Sequence, residues 1–361
     1  MARTVKHLSV HRVDGTELRV VSDVGAGALL VIQAEEDVIR QYSAAALWPH
    51  RWVTLFVLKD MQPLARQLGA RAGAAEMLSS LPPGGIDALA ARPIVSAYDL
   101  ASSHSCNLFV NQEAMLRAGY WEDPLALRGL LAHEHAHPLA ENETTRASRR
   151  LLTEISLLRP QYGHEDATQS AMQAQIARQL VLLADELCLY APREIAANEL
   201  ALRSGFGEHL FHLAQRNLAA ARGALAGRAE LRSRLQRERS EARLAPRWAN
   251  GLLLLADLRG HANWAFELAP FYHSGYESIT QELEAALQAD VFSHLEPQVS
   301  ALYATLREQY QALRPDLAAD ELLSWGRHLL QGLAEIMAEG AIETRLDLRL
   351  AQEVQSGDKH G

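Results

Sequence analysis

The chain has 361 residues, 48% of them hydrophobic and 22% charged, which is enough apolar surface for one large core or two modest ones. A formal net charge of -9 argues against a global attraction to nucleic acid or anionic membrane. Two cysteines, Cys106 and Cys188, do not make a disulfide framework. The N-terminal MARTVKHLSVHRVDG lacks the apolar stretch of a signal peptide, and no run approaches the roughly 18 apolar residues of a membrane span, so the expectation is a soluble, cytoplasmic protein with no membrane partner.

The first 60 residues or so read as strands. Thr4 to Val10 and Glu17 to Val21 flank a turn at Asp14-Gly15, a hairpin signal. Ala28 to Gln33 and Trp52 to Leu58 are short apolar runs suited to buried strands, and Gln62 to Leu78 reads as helix. Pro82-Pro83-Gly84-Gly85 is a break, after which Pro93 to Ala97 and Asn107 to Asn111 read as further strands. Beyond residue 111 the pattern is helical throughout: Ser170 to Leu189, Glu208 to Leu244 with interruptions at Gly223 and Gly227, Glu277 to Leu287, Pro297 to Leu313 and Ala318 to Leu350. Ser356 to Gly361 reads as a disordered tail.

The segment that carries chemistry is Asp123-Pro124-Leu125-Ala126-Leu127-Arg128-Gly129-Leu130-Leu131-Ala132-His133-Glu134-His135-Ala136-His137-Pro138. Asp123 is a good N-cap, Pro124 suits the first helical position, and Pro138 predicts an end near His137. At about 100° per residue, His133 and His137 share a face one turn apart and can hold one metal ion. Glu134 adjoins that face as the general base of a zinc hydrolase, taking a proton from water and passing it to a leaving amine. His135 points about 160° to 200° away and reads as a packed side chain rather than a ligand of the same ion.

Catalytic zinc needs a third protein ligand and an open position. Ala140 and Glu143 stand where a metzincin would have Gly and His, so the ligand comes from elsewhere. Glu194 is the leading candidate, on a helix that Pro192 starts and Gly205 or Gly207 ends. Asn198, four residues on and on the same face, would hydrogen-bond a ligand imidazole. Glu141, Glu143, His164, Glu165, Glu186 and Glu199 are rivals. Tyr190, Arg193, His209 and His212 flank the Glu194 helix as candidates to stabilise an oxyanion.

The zinc-helix segment followed by Glu194-x-x-x-Asn198 resembles the gluzincin clan of metallopeptidases, and within it the ImmA/IrrE-type repressor-cleaving peptidases, over about residues 105 to 205. The resemblance implies an α+β fold: a zincin-like mixed sheet packed on the His-Glu-x-x-His helix and a Glu-bearing helix, here followed by a largely α-helical C-terminal region. It also implies an edge strand lining a substrate cleft, for which Asn107 to Asn111 is the candidate. The corresponding division is a β-rich part over 1–110, a catalytic core over 111–205 and a helical region over 206–361.

Three other features have competing readings. Cys106 reads as a small buried apolar residue, against an inhibitory thiolate on zinc. Arg228 to Arg247, rich in arginine, reads as a solvated helix laced with i, i+4 ion pairs, against a nucleic-acid-facing helix. Trp264, Phe266, Phe271, Tyr272 and Tyr276 with His261 and His273 read as core or a joint, against a pocket lining. The expectation is a zinc-dependent endopeptidase (Zn2+ on His133, His137 and Glu194, with Glu134 as base) acting on a protein or peptide. The rival is a non-hydrolytic, partner-binding helical protein with a structural or relict zinc site.

Overall fold

Asp14 and Gly15 both take positive φ, 46° and 85°, between strands β1 (His7–Val13) and β2 (Thr16–Ser22). A two-residue turn of that hand matches the twist of the strands it joins. The expected hairpin is present as an antiparallel pair with Val13 opposite Thr16. The structure is a computed structural model and describes residues 7–69, 90–99, 102–158, 167–241 and 243–351. The second half of the expected helix over 62–78, the break at 82–85 and the tail at 356–361 lie outside the described residues.

The described chain divides into two units, Met1–Glu141 with Ala197–Arg216, and Asn142–Ala196 with Asn217–Gly361. In the first, β2 leads into α1 (Ala28–Ala44), which crosses back so that β3 (Trp52–Leu58) pairs parallel to β2. Here the strand expected over Ala28 to Gln33 is corrected to helix. Its buried residues, Ala28, Val31, Ile32, Ala34, Glu35, Val38, Ile39 and Tyr42, recur at three and four. That period becomes visible only when the window extends to Tyr42.

α2 (Gln62–Gly69) follows, then β4 (Ile94–Asp99) and β5 (Ser102–Asn111). The five strands run in the order β1-β2-β3-β5-β4, parallel in the middle and antiparallel at both ends. The expected α+β class with a mixed sheet is therefore present. The expected edge strand is not where it was placed: Asn107–Asn111 lies in β5, between β3 and β4, and β4 is the edge on that side among the described residues. Asn111 then caps α3 (Gln112–Ala118), accepting from Ala114 N.

α4 (Pro124–Leu139) packs on α1, β4 and β5. Tyr42 Oη donates to the Ala132 carbonyl at 2.8 Å, so a fully buried ring fixes α4 on α1. Gln41 Nε2 donates to the Ser204 carbonyl at 3.0 Å and holds the returning segment 197–216 against α1.

In the second unit the expectation of helix throughout is corrected by two strands. After α5 (Glu143–Ser148), β6 (Leu151–Leu157) pairs antiparallel with β7 (Thr344–Leu350), Leu151 opposite Leu350. Thr344–Leu350 reads as strand because Thr-Arg-Leu-Asp-Leu-Arg-Leu alternates with period two, and Ala341, at φ 63°, ends the helix before it. α6 (Ala167–Asp185) passes through a wider turn, Glu186–Tyr190, into α7 (Ala191–Ala201). The widened turn presents the Leu187 carbonyl to the buried Tyr310 hydroxyl at 2.8 Å.

A second wide turn, Leu202–Phe206, contains Gly205 at φ 90° and opens α8 (Gly207–Ser240). α8 runs without interruption through Gly223 and Gly227, where an added Cβ would meet nothing. The remaining helices are α9 (Pro246–His261), α10 (Trp264–His273), α11 (Glu277–Asp290), α12 (Pro297–Gln311) and α13 (Ala319–Glu339). Trp264, Phe266 and Phe271 are core, as expected. None of the described helices is long and apolar enough to cross a membrane.

Candidate metal centre

α4 begins as its sequence predicts. The Asp123 side chain accepts from Ala126 N at 3.1 Å and Pro124 follows. His212 Nε2 lies 2.7 Å from Asp123 Oδ2, with Arg216 beyond it at 3.6 Å. Burial raises the Asp123 carboxyl, but the His212 hydrogen bond, the Ala126 N–H and the nearby charges outweigh it and hold the group below its ordinary value. His212, considered for an oxyanion role, is thus engaged with the cap of the helix.

The end of α4 differs from expectation. It continues to Leu139 rather than stopping at His137, because Pro138 falls in the last turn. There its ring costs one bond to the Glu134 carbonyl, and Ala140 N still reaches the Ala136 carbonyl at 2.8 Å.

Helical spacing sets His133 and His137 side by side, with ring centroids 4.7 Å apart and planes at 79°. Their Nε2 atoms are 3.2 Å apart. Two imidazole nitrogens at zinc–nitrogen distance in tetrahedral geometry would be about 3.3 Å apart. The pair therefore fits one shared ion with almost no side-chain movement. His133 Nδ1 lies 2.7 Å from Asn198 Oδ1. With Nδ1–H donated to that amide oxygen, His133 Nε2 carries no proton, the tautomer a metal ligand requires.

Asn198 is carried by α7, a single helix through which the boundary between the units passes. Glu194 is one turn earlier on it, and its side chain is buried. Among the rivals, Glu199 is turned to Arg203 at 3.5 Å and Glu143 is exposed beside Arg146. His164 and Glu165 lie outside the described residues. Two imidazoles at this spacing are two of the donors a catalytic zinc site needs.

Glu134 is buried, and its Oε2 accepts two hydrogen bonds from β4: Ser96 N at 2.9 Å and Ser96 Oγ at 2.7 Å. Sequence reasoning missed Ser96. No spacing signal could have found it, since the contact spans 38 residues and depends on β4 being the sheet edge.

His135 turns away and is packed, as expected. It is fully buried with Nε2 2.7 Å from Glu35 Oε1, an equally buried carboxylate on α1. Cys106 is buried in β5 and groups with His50 and His135, not with His133 and His137. Burial, then Glu35 and Glu134, push its thiol well above the ordinary value.

Tyr190 and Arg193 stack on each other at 6.0 Å. His209 is lowered by burial and then by Arg128. Most of the arginine-rich stretch is exposed, as a solvated helix would be, and two of its arginines pair outside it: Arg228 forks onto Asp257 at 2.8 and 2.7 Å, and Arg232 reaches Glu296 at 3.8 Å. No protein-family model, curated protein or solved structure matches the chain.

Proposed function

We propose that the chain is a zinc-dependent peptidase of gluzincin pattern, with a zincin-like arrangement of sheet, α4 and α7. The observation that carries this reading is the 3.2 Å approach of His133 Nε2 and His137 Nε2, with Asn198 taking the proton on His133 Nδ1. His133 and His137 hold the ion and Glu194 completes the set. The continuity of α7 supports Glu194, since helix geometry ties it to Asn198. Zinc bound there supplies a Lewis acid that makes water nucleophilic near neutral pH.

The residues of the chain do the rest. Ser96 fixes Glu134 Oε2 with two hydrogen bonds and leaves Oε1 to take the proton from water and return it to the leaving nitrogen. The Ser96 N–H points out of the sheet toward Glu134, so the edge that β4 forms among the described residues runs past the base. An extended peptide adding to that edge would present its carbonyls beside Glu134, which favours a protein or peptide as substrate.

The test is zinc content and proteolysis of wild type, Glu134→Gln and Glu194→Gln. Glu134→Gln should keep its zinc and lose at least about 10²-fold in rate. Glu194→Gln should lose zinc. A pure wild-type protein that takes up no zinc on reconstitution defeats the reading.

A further inference from the structure

Behind the face of α4 that carries His133 and His137, a second group of metal-ligating side chains is fully enclosed in the first unit. His50 comes from the segment between α1 and β3, Cys106 from β5 and His135 from α4, with 2%, 1% and 0% of their surface exposed. One ligand atom from each lies within 4.8 Å of the other two. We propose that His50, Cys106 and His135 form a second metal site, for zinc or another thiophilic divalent cation, that is structural rather than catalytic.

The proton arrangement is already that of a ligand. Glu35 Oε1 accepts from His135 Nε2 at 2.7 Å, which leaves Nδ1 as the lone-pair nitrogen. That atom is buried and has no hydrogen-bond partner among the described residues. A carboxylate behind a histidine, fixing its tautomer and raising its basicity, is a recurrent support of zinc ligands. An unsatisfied ring nitrogen in a core is otherwise costly.

The surroundings are rigid. Trp48 stands edge-on to both rings, 4.8 Å from His50 and 4.6 Å from His135 between centroids. Its Nε1 donates to Thr16 Oγ1 at 2.7 Å, and Thr16 Oγ1 donates to the His50 carbonyl at 2.9 Å, so the backbone bearing His50 is pinned to β2.

Charge closes as well. A divalent cation, one thiolate and the Glu35 carboxylate sum to zero around two neutral imidazoles, in a place where net charge is costly. Ligands bound to one zinc at about 2.0–2.3 Å stand about 3.3–3.8 Å apart, so the group needs only a small contraction to close. The ion would join β5 and the segment before β3 to α4, and so fix the rotation of the helix that presents His133 and His137 from its other side.

Cobalt distinguishes the two centres, because only this one contains sulfur. The full chain is expressed with cobalt in place of zinc, its folding checked by circular dichroism, its cobalt content measured and its near-ultraviolet absorption recorded. A thiolate-to-cobalt charge-transfer band is expected in wild type and in the His133→Ala, His137→Ala double variant, and is expected to be lost in Cys106→Ala. Cobalt content should fall by about one equivalent in Cys106→Ala and in the double variant separately. A folded wild type without the band overturns the proposal whatever becomes of the peptidase reading. So does a band that survives Cys106→Ala, which would assign it to Cys188. Loss of the ion in the double variant with the band intact would leave this site standing on its own.

Discussion

His133 Nδ1 and Asn198 Oδ1 meet at 2.7 Å, joining two helices that are 65 residues apart in sequence. The bond sets the tautomer of one candidate ligand and the orientation of its ring at once. Replacing Asn198 with Ala should therefore weaken zinc binding by about 10- to 100-fold with the fold retained. Asn198→Asp, which keeps an acceptor at that place, should recover most of the loss. Competition against a chelator of known affinity measures both. Equal affinity in wild type and Asn198→Ala would remove Asn198 from the site.

The Asp123–His212 pair makes a second prediction, this one about pH. The folded-state pKa of Asp123 is depressed, so its stabilisation is present above the ordinary carboxylate value and disappears as pH falls through the lower folded value. Asp123→Ala should cost about 1 kcal/mol near neutral pH, the usual worth of an N-cap. The cost should shrink in acid. Urea denaturation at several pH values checks it, and a cost independent of pH would mean that the charge of Asp123 contributes nothing.

How much of this was legible depends on range. The capped helix, the pairing of His133 with His137, the divergence of His135 and the shared face of Glu194 and Asn198 follow from local periodicity, and a helix obeys it whatever surrounds it. The hairpin at Asp14-Gly15 is equally local. Most failures are long-range. Ala28 to Gln33, apolar enough for either a strand or a helix, is the exception: its helical period shows once the window reaches Tyr42. Which of β4 and β5 forms the edge is decided by strand order, which a sequence does not carry. Thr344–Leu350 alternates clearly but needed its partner Leu151–Leu157, nearly 200 residues earlier, to count as a sheet. The His50–Cys106–His135 group draws on three separate segments and has no spacing signature at all.

Close packing at Gly129 is a third test. A Cβ there would stand 2.6 Å from Leu213 Cδ1 and 3.0 Å from the His209 carbonyl oxygen. The Leu213 methyl can swing aside, but the carbonyl is backbone of α8 and can yield only if that helix moves. Gly129→Val should destabilise by about 1–3 kcal/mol, more than the fraction of a kcal/mol that leaving Gly returns in helix propensity. Since Gly129 lies one turn before His133, zinc affinity should fall with stability. Denaturation and zinc titration of the same preparation check both. An unchanged midpoint would show that α4 and α8 are not in tight contact there.

Glu267, on α10, offers the last test because its environment is set against its charge. Burial pushes its carboxyl from 4.5 up to about 7, and the carboxylates of Glu186 and Glu194 push the same way. Hydrogen bonds from Asn217 and Asn263 oppose them without prevailing. The folded state thus holds a proton that the unfolded chain releases. Its stabilisation is complete below about pH 4.5 and is lost as pH rises through about 7, so this group makes the protein less stable toward neutrality. Glu267→Gln, neutral at every pH, should flatten that part of the stability profile and exceed wild type at its upper end. A cation beside Glu194 would cancel part of the repulsion, so the difference between wild type and Glu267→Gln should be larger after treatment with a chelator than in zinc-loaded protein. Stability profiles of both proteins, with and without zinc, measure this. Parallel profiles would show that Glu267 titrates alike in the folded and unfolded states.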